Sequence, residues 1–346
     1  MGSYLFYCSD EERGMNKKLI AVAVAAAMTL PAMANAGAKN KFYGQVHISI
    51  NHANEDAGWS IDGSPPKANM IGAKGSVDTN LADFKGVYKF EIGINPNLNA
   101  ADGKGNGPAY QRDTWVGLSS KKIGTVRMGT MATPWKQTGK MVDPFFLTSG
   151  EARSFIGAAD NTQGKGFGHN RGRANQSFRY DTPSFGGLKV IGMVSINGAG
   201  KDTHNAGVHY KKGPIAAFFD FTNYASAEKK TMKVGGKYKM GPASIALSFT
   251  KNDDAILKTD RSAAIAAAGG EADPGNMIFG AATYTMGAST LALSIGKNDQ
   301  NLGYTVGVKQ KLAKTMLAYL AYAGSSDDKK SGLSTGAATF GMIKKF

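Results

Sequence analysis

The chain has 346 residues, of which 42% are hydrophobic and 10% aromatic, and 45 are glycine. That balance is too apolar for disorder and favours many short strands joined by tight turns. A formal net charge of +15 fits either a soluble basic surface or binding to nucleic acid, lipid headgroups or anionic solutes, and the basic residues are spread along the chain without a clustered motif, which argues against nucleic acid. No run of about 18 apolar residues occurs, which argues against a membrane-spanning helix but not against strands with one apolar face.

At the N-terminus, Met15-Asn16-Lys17-Lys18 followed by an apolar stretch over residues 19–30 reads as a charged n-region and a short h-region. Pro31 ends any helix, and Ala34-Asn35-Ala36 offers the small residues a signal peptidase needs. Residues 15–36 are therefore expected to be a signal peptide, cleaved before Gly37. Residues 1–14 sit ahead of the n-region and are expected to be a mis-assigned leader, with Met15 the true start. Glu11-Glu12-Arg13 can be encoded by a purine-only run, as a bacterial ribosome-binding site would be; a longer n-region is the alternative. The one cysteine, Cys8, falls in this leader. The mature chain, residues 37–346, would then hold no disulfide, no cysteine zinc site and no cysteine nucleophile.

From Gly37 onward the dominant period is two. Phe42, Gly44, Val46, Ile48 and Ile50 alternate with Tyr43, Gln45, His47, Ser49 and Asn51. Met232, Val234, Gly236, Tyr238 and Met240 alternate with Lys233, Gly235, Lys237 and Lys239, and Leu302, Tyr304, Val306 and Val308 with Gly303, Thr305, Gly307 and Lys309. A β-sandwich would give the same alternation. A transmembrane antiparallel β-barrel is preferred, because polar-face lysines recur throughout and connections alternate between short and long. Short ones fall at residues 182–187, 212–214, 240–242, 287–289 and 313–314, and long ones at 95–110, 251–276 and 324–334. The pattern predicts about sixteen strands, starting near residues 42, 69, 84, 112, 124, 173, 187, 204, 214, 230, 242, 276, 289, 301, 314 and 335. The alanine-rich stretch at 263–270 reads as an outer loop or a short helix on one.

Several segments together resemble the general diffusion porins of Gram-negative outer membranes: MIGAKGSVD (70–78), RDTWVGLS (112–119), GTVRMG (124–129), RANQSFRYDTPSFGG (173–187) and GVKQKLAKT (307–315), with the terminal Phe346. The resemblance covers essentially the whole mature chain. It implies an all-β barrel of about sixteen strands with its third outer loop folded inward. It also implies a homotrimer among outer-membrane lipid and lipopolysaccharide, and a water-filled channel for small hydrophilic solutes and ions, with no cofactor. A substrate-specific outer-membrane channel is the alternative within this class.

The fifth strand is expected to end near Thr130 and the sixth to start near Arg173, leaving roughly forty residues, far above ordinary loop lengths. Trp135, Phe145 and Phe146 could pack this segment against a wall, and it is expected to be the constriction loop. By resemblance, loop carboxylates face an arginine wall there. Arg112 and Arg173 match wall positions, Arg127 and Arg179 lie on polar faces and could join them, and Asp143 and Glu151 are the expected loop acids, ahead of Asp160. The family's wall arginine on the second strand is replaced by Met70, and its basic residue on the first strand by Gln45. Such arginines either orient dipolar solutes or pair with loop acids to hold the loop. Their excess over acids on the polar faces predicts a weak anion preference. The terminal strand, with Phe340, Met342 and Phe346 in alternate positions, resembles the signal read by the barrel-assembly machinery, although Lys344 interrupts that apolar series.

Catalytic and metal signatures are not found. The five histidines show no ligand spacing, and residues 195–202 (SINGAGKD) lack the first glycine and final Ser/Thr of a phosphate loop, reading instead as a turn at Asn197-Gly198. Two readings from other classes remain at this stage: an outer-membrane hydrolase on a barrel wall, and a soluble secreted β-sandwich lectin.

Overall fold

The computed structural model describes residues 39–53, 58–62, 69–94, 109–148, 150–151, 172–196, 202–225, 229–253, 276–297, 302–325 and 336–346. The leader and signal peptide expected over residues 1–14 and 15–36, the turn at Asn197-Gly198, the stretch at 263–270 and Asp160 lie outside the described residues.

The first strands are β1 (Lys39–Ala53), β2 (Trp59–Asp62), β3 (Met70–Asp78), β4 (Lys85–Ile94), β5 (Ala109–Ser120) and β6 (Gly124–Ala132). Among the described residues a single helix, α1 (Pro134–Val142), precedes β7 (Arg173–Asp181), β8 (Leu188–Ser195), β9 (Thr203–Lys212), β10 (Ile215–Tyr224), β11 (Lys229–Met240) and β12 (Ala243–Asn252). The last are β13 (Met277–Met286), β14 (Ser289–Lys297), β15 (Leu302–Ala313), β16 (Met316–Ser325) and β17 (Gly336–Lys345). From β3 onward each strand pairs antiparallel with the next, and β17 returns to β1, from Gln45 opposite Lys345 to Ala53 opposite Ala337. The ring is closed. β2 pairs with β1 over Ser49 to His52, and β3 pairs with it over Lys39 to Gln45. These two pieces share one position in the wall, so seventeen described segments make a sixteen-stranded barrel, as the sequence pattern predicts.

Burial is inverted relative to a soluble protein. On β12, Ile245, Leu247 and Phe249 point outward and are exposed, Leu247 by 62%, whereas Ser244, Ser248, Thr250 and Asn252 are buried inside. The same exposed apolar rows run along β1 (Val46, Ile48, Ile50), β14 (Leu291, Leu293, Ile295) and β15 (Tyr304, Val306). A sandwich would bury those rows between its sheets, and a water-exposed surface this apolar would aggregate. The lectin reading is therefore set aside: the outer face matches lipid.

Connections alternate as the sequence predicts. At the short end, Gly213, Gly241 and Gly287 adopt φ of 55°, 54° and 57°, the left-handed region that glycine enters without a Cβ clash. Pro214 and Pro242 follow two of them, and a left-handed glycine before a residue fixed near −65° fits the II′ turn that suits strand twist. Near these turns Tyr210, Tyr238 and Tyr284 lie on the outward rows, an aromatic rim where the apolar band meets water. The chain end joins this rim: Phe346 exchanges backbone hydrogen bonds with Gly44 at 3.0 and 3.1 Å, and its ring lies over Gly44, where any side chain would collide with it.

Lysine at Val234 or Val306 is expected to impair assembly, because a charge on the lipid face costs about 2–4 kcal/mol at mid-membrane. Lysine at Thr283, on the inward row of β13, is expected to be tolerated. Heat-modifiable mobility on detergent gels checks both.

Candidate pore constriction

Directly after β6 the chain turns into the barrel instead of crossing the rim. Thr133 caps α1, accepting a hydrogen bond from Lys136 N at 3.2 Å, and Pro134 occupies the first turn, where no N–H is needed. The helix buries Trp135, Thr138, Gly139 and Val142 and leaves Lys140 exposed. It stops at Asp143, whose N–H still reaches Gly139 O at 3.1 Å while its own backbone has become extended.

Beyond the helix, the two acids hold the loop's own backbone. Asp143 Oδ1 accepts from Phe145 N, and Glu151 Oε2 accepts from Leu147 N, each at 2.8 Å. Leu147 sits at φ 64°, a costly conformation for a branched side chain that the Glu151 contact helps to hold.

The inner wall grips this loop strand by strand. Arg179 on β7 donates to Ala132 O at 2.7 Å and to Gln137 Oε1 at 3.0 Å. Thr138 Oγ1 donates to Asp220 on β10 at 2.5 Å, and the other oxygen of that carboxylate meets His209 Nε2 at 2.8 Å. Lys233 on β11 places its ammonium 5.1 Å from the Trp135 ring centre and 5.6 Å from that of Phe218, a doubled cation–π contact. Val142 packs with Phe218, Ala246 and Phe279, and Phe145 packs with Ala292, Tyr319 and Ala321. Lys309 on β15 donates to Pro144 O, and Thr305 donates to Gly150 O at 2.8 Å. Residues 133–148 and 150–151 thus run along the wall from β7 to β16 and narrow the lumen from that side.

Charges gather on β4 to β7, where this run begins. The β4–β5 ladder slips between Phe90 and Ile92, and the bulge lets the adjacent residues Arg112 and Asp113 both reach the inner face beside Glu91. Arg112 pairs with Glu91; Arg173 pairs with Asp113 and, at 3.3 Å, with Glu91. Lys89 lies 2.6 Å from Asp113 and 3.1 Å from Glu91, and Tyr43 donates to Glu91 at 2.8 Å. One group therefore holds three cations and two acids. In a second group, Arg127 and Arg179 share Asp181, Arg179 at 2.7 Å, and the Arg127 guanidinium lies 5.2 Å from the Trp115 ring centre.

All four arginines singled out from the sequence are inward-facing, in these two groups. Their acid partners here are Glu91, Asp113 and Asp181 on the wall, while Asp143 and Glu151 sit within the fold of the loop. Phe340, Met342 and Phe346 are exposed on the outward face of the last strand and terminus. Asp113 had a trace in the sequence: an acid directly beside Arg112 breaks the period-two pattern, as a bulge does. Lys233, Asp220 and Thr138, which anchor the loop, had none, because they meet only across the lumen.

The described residues thus form a closed sixteen-stranded barrel, narrowed by the loop after its sixth strand segment. The sequence profile of the Gram-negative porins matches residues 21–330. The chain belongs to the Gram-negative porins. Its place is the outer membrane. The porin is 29% identical over 180 residues to outer membrane porin protein 32 of Delftia acidovorans, a match covering 51% of this chain and 48% of that protein, so the chain spans about half the length of that curated relative. Among solved structures, it superposes on the anion-selective porin of Comamonas acidovorans with a TM-score of 0.68 at 20% identity, covering 89% of this chain and all of that one. Salmonella typhi OmpF, in complex with daunomycin, gives 0.67 at 13% identity over 90% and 98% of the two chains. A trimer form of Vibrio cholerae OmpT gives 0.60 at 13% over 90% and 99%. At these identities the superpositions bear on the fold alone.

Thr138→Ala together with Lys233→Ala removes two wall anchors, one of them a hydrogen bond to a charged group of about 1.5–3 kcal/mol. The barrel is expected to assemble normally while single-channel recordings show larger open-channel noise and a higher mean conductance.

Proposed function

We propose that the porin forms a water-filled channel for passive diffusion of small hydrophilic solutes and ions, with a weak preference for anions. The charge balance at the narrowing carries this reading. Lys89, Arg112 and Arg173 outnumber Glu91 and Asp113 by one, and Arg127 and Arg179 outnumber Asp181 by one. A small excess of fixed positive charge lowers the energy of anions along the path without excluding cations. That the Comamonas acidovorans relative is an anion-selective porin supports the same direction. The arginines serve two ends in this reading, since Arg179 also ties the loop to the wall.

The reversal potential in a salt gradient tests it. The wild-type channel is expected to favour anions in dilute salt and to lose that preference as salt rises, because screening shortens to about 3 Å at 1 M. Glu91→Gln with Asp113→Asn should move the reversal potential further toward anions, and Arg112→Gln with Arg173→Gln toward cations. A wild-type channel already selective for cations would overturn the reading.

We further infer a homotrimer, a signal peptide over residues 15–36 removed before Gly37, and an assembly signal in Phe340, Met342 and Phe346. Native mass spectrometry in mild detergent is expected to give the trimer of a chain beginning at Gly37. Monomer alone would count against the first inference, and a chain retaining residues before Gly37 against the second.

A further inference from the structure

The inner wall divides by charge along the barrel axis. Inward positions near the short turns carry Lys189 on β8, Lys211 on β9, Lys237 and Lys239 on β11, and Lys309 and Lys311 on β15. Described acids at that end are few and engaged: Asp78 with Lys85 at 2.5 Å, Asp83 with Lys122 at 2.7 Å, and Asp181 with Arg127 and Arg179. On β8 to β10, β12, β14 and β15 the inward positions toward the long connections change character, to Ser195, Asn205, Thr222, Thr250, Ser294 and Thr305. On β4, β5 and β7 at that level, Arg112 and Arg173 are matched by Glu91 and Asp113, and Asp202 and Asp253 stand at the rim. One half of the lumen is thus basic and the other close to neutral overall, with the loop at their junction.

We propose that this polarity makes the channel rectify: under voltage, small anions such as chloride or simple carboxylates carry more current from the short-turn mouth than toward it. The inference rests on the anion-preferring channel proposed above. In the basic half, anions carry nearly all the current, whereas in the neutral half anions and cations share it. When voltage drives anions out of the basic half, they reach the junction faster than the neutral half removes them. Cations arriving from the other side are turned back by the lysines. Salt therefore accumulates at the narrowing and conductance rises. The opposite voltage depletes salt there and conductance falls. Without voltage the two directions are equal, since the channel holds no energy source.

Planar-bilayer currents at equal and opposite voltages test this. Orientation is set by Ala288→Cys, in an exposed short turn, biotinylated so that streptavidin in one chamber identifies that mouth. In about 0.1 M KCl, where charges are felt over about 10 Å, the expected current ratio is roughly twofold in favour of anions leaving the short-turn mouth. In about 1 M KCl the ratio should approach one. Lys237→Gln, Lys239→Gln and Lys311→Gln combined should remove the asymmetry. Thr250→Lys with Ser294→Lys should reduce it while increasing anion preference, because it is the distribution of charge that matters. Equal currents in dilute salt from an anion-preferring wild-type channel would overturn this inference alone, as would asymmetry that survives the triple replacement. Cation preference would overturn the selectivity reading as well.

Discussion

The backbone ladder between β1 and β17 is the contact on which the rest of the barrel depends, because a sheet surrounded by lipid has no water to satisfy a free edge. Nine residue pairs join the two strands, and Phe346 extends them through its exchange of hydrogen bonds with Gly44. Once the ring is closed, every strand has one apolar and one polar environment, and the period-two pattern must hold along all of them. Gly44 fits this arrangement because the Phe346 ring occupies the space a side chain would need.

Closure also creates an interior too wide to fill with side chains of the wall, and the loop after β6 uses that space. It brings its own apolar face, Trp135, Val142 and Phe145, to patches on the wall where the inward row turns apolar, at Phe218, Ala246, Phe279, Ala292 and Tyr319. Between these patches, Asp220, Lys233, Lys309 and Thr305 hold it by polar contacts. The narrowing is therefore positioned by packing and hydrogen bonding together, and its opposite side is left to the charged strands.

There, ions compensate one another. A buried or half-buried arginine without a partner is costly, and the bulge at Phe90 and Ile92 supplies Asp113 where strict alternation would have turned it toward lipid. The residual charge is small at the narrowing and larger among the lysines beyond it. Selectivity and any directional preference then arise from different parts of the same wall.

By itself the sequence determined the barrel, the starts of its sixteen strands to within about three residues, the alternation of short and long connections, and the inward arginines. Those features depend on local chemistry: period two, turn glycines and prolines, and the single face available to each side chain. It missed the short strand β2, whose four residues carry too little pattern, and helix α1, whose amphipathic face is legible only once a wall stands opposite it. Which acids meet Arg112, Arg173 and Arg127, and which side chains hold the loop, was decided by the tertiary structure. Glu91 and Arg173 are 82 residues apart in the chain, and Thr138 and Asp220 are 82 apart as well. Such pairs meet because closing the ring brings distant strands to one narrow lumen, and no local pattern records that distance.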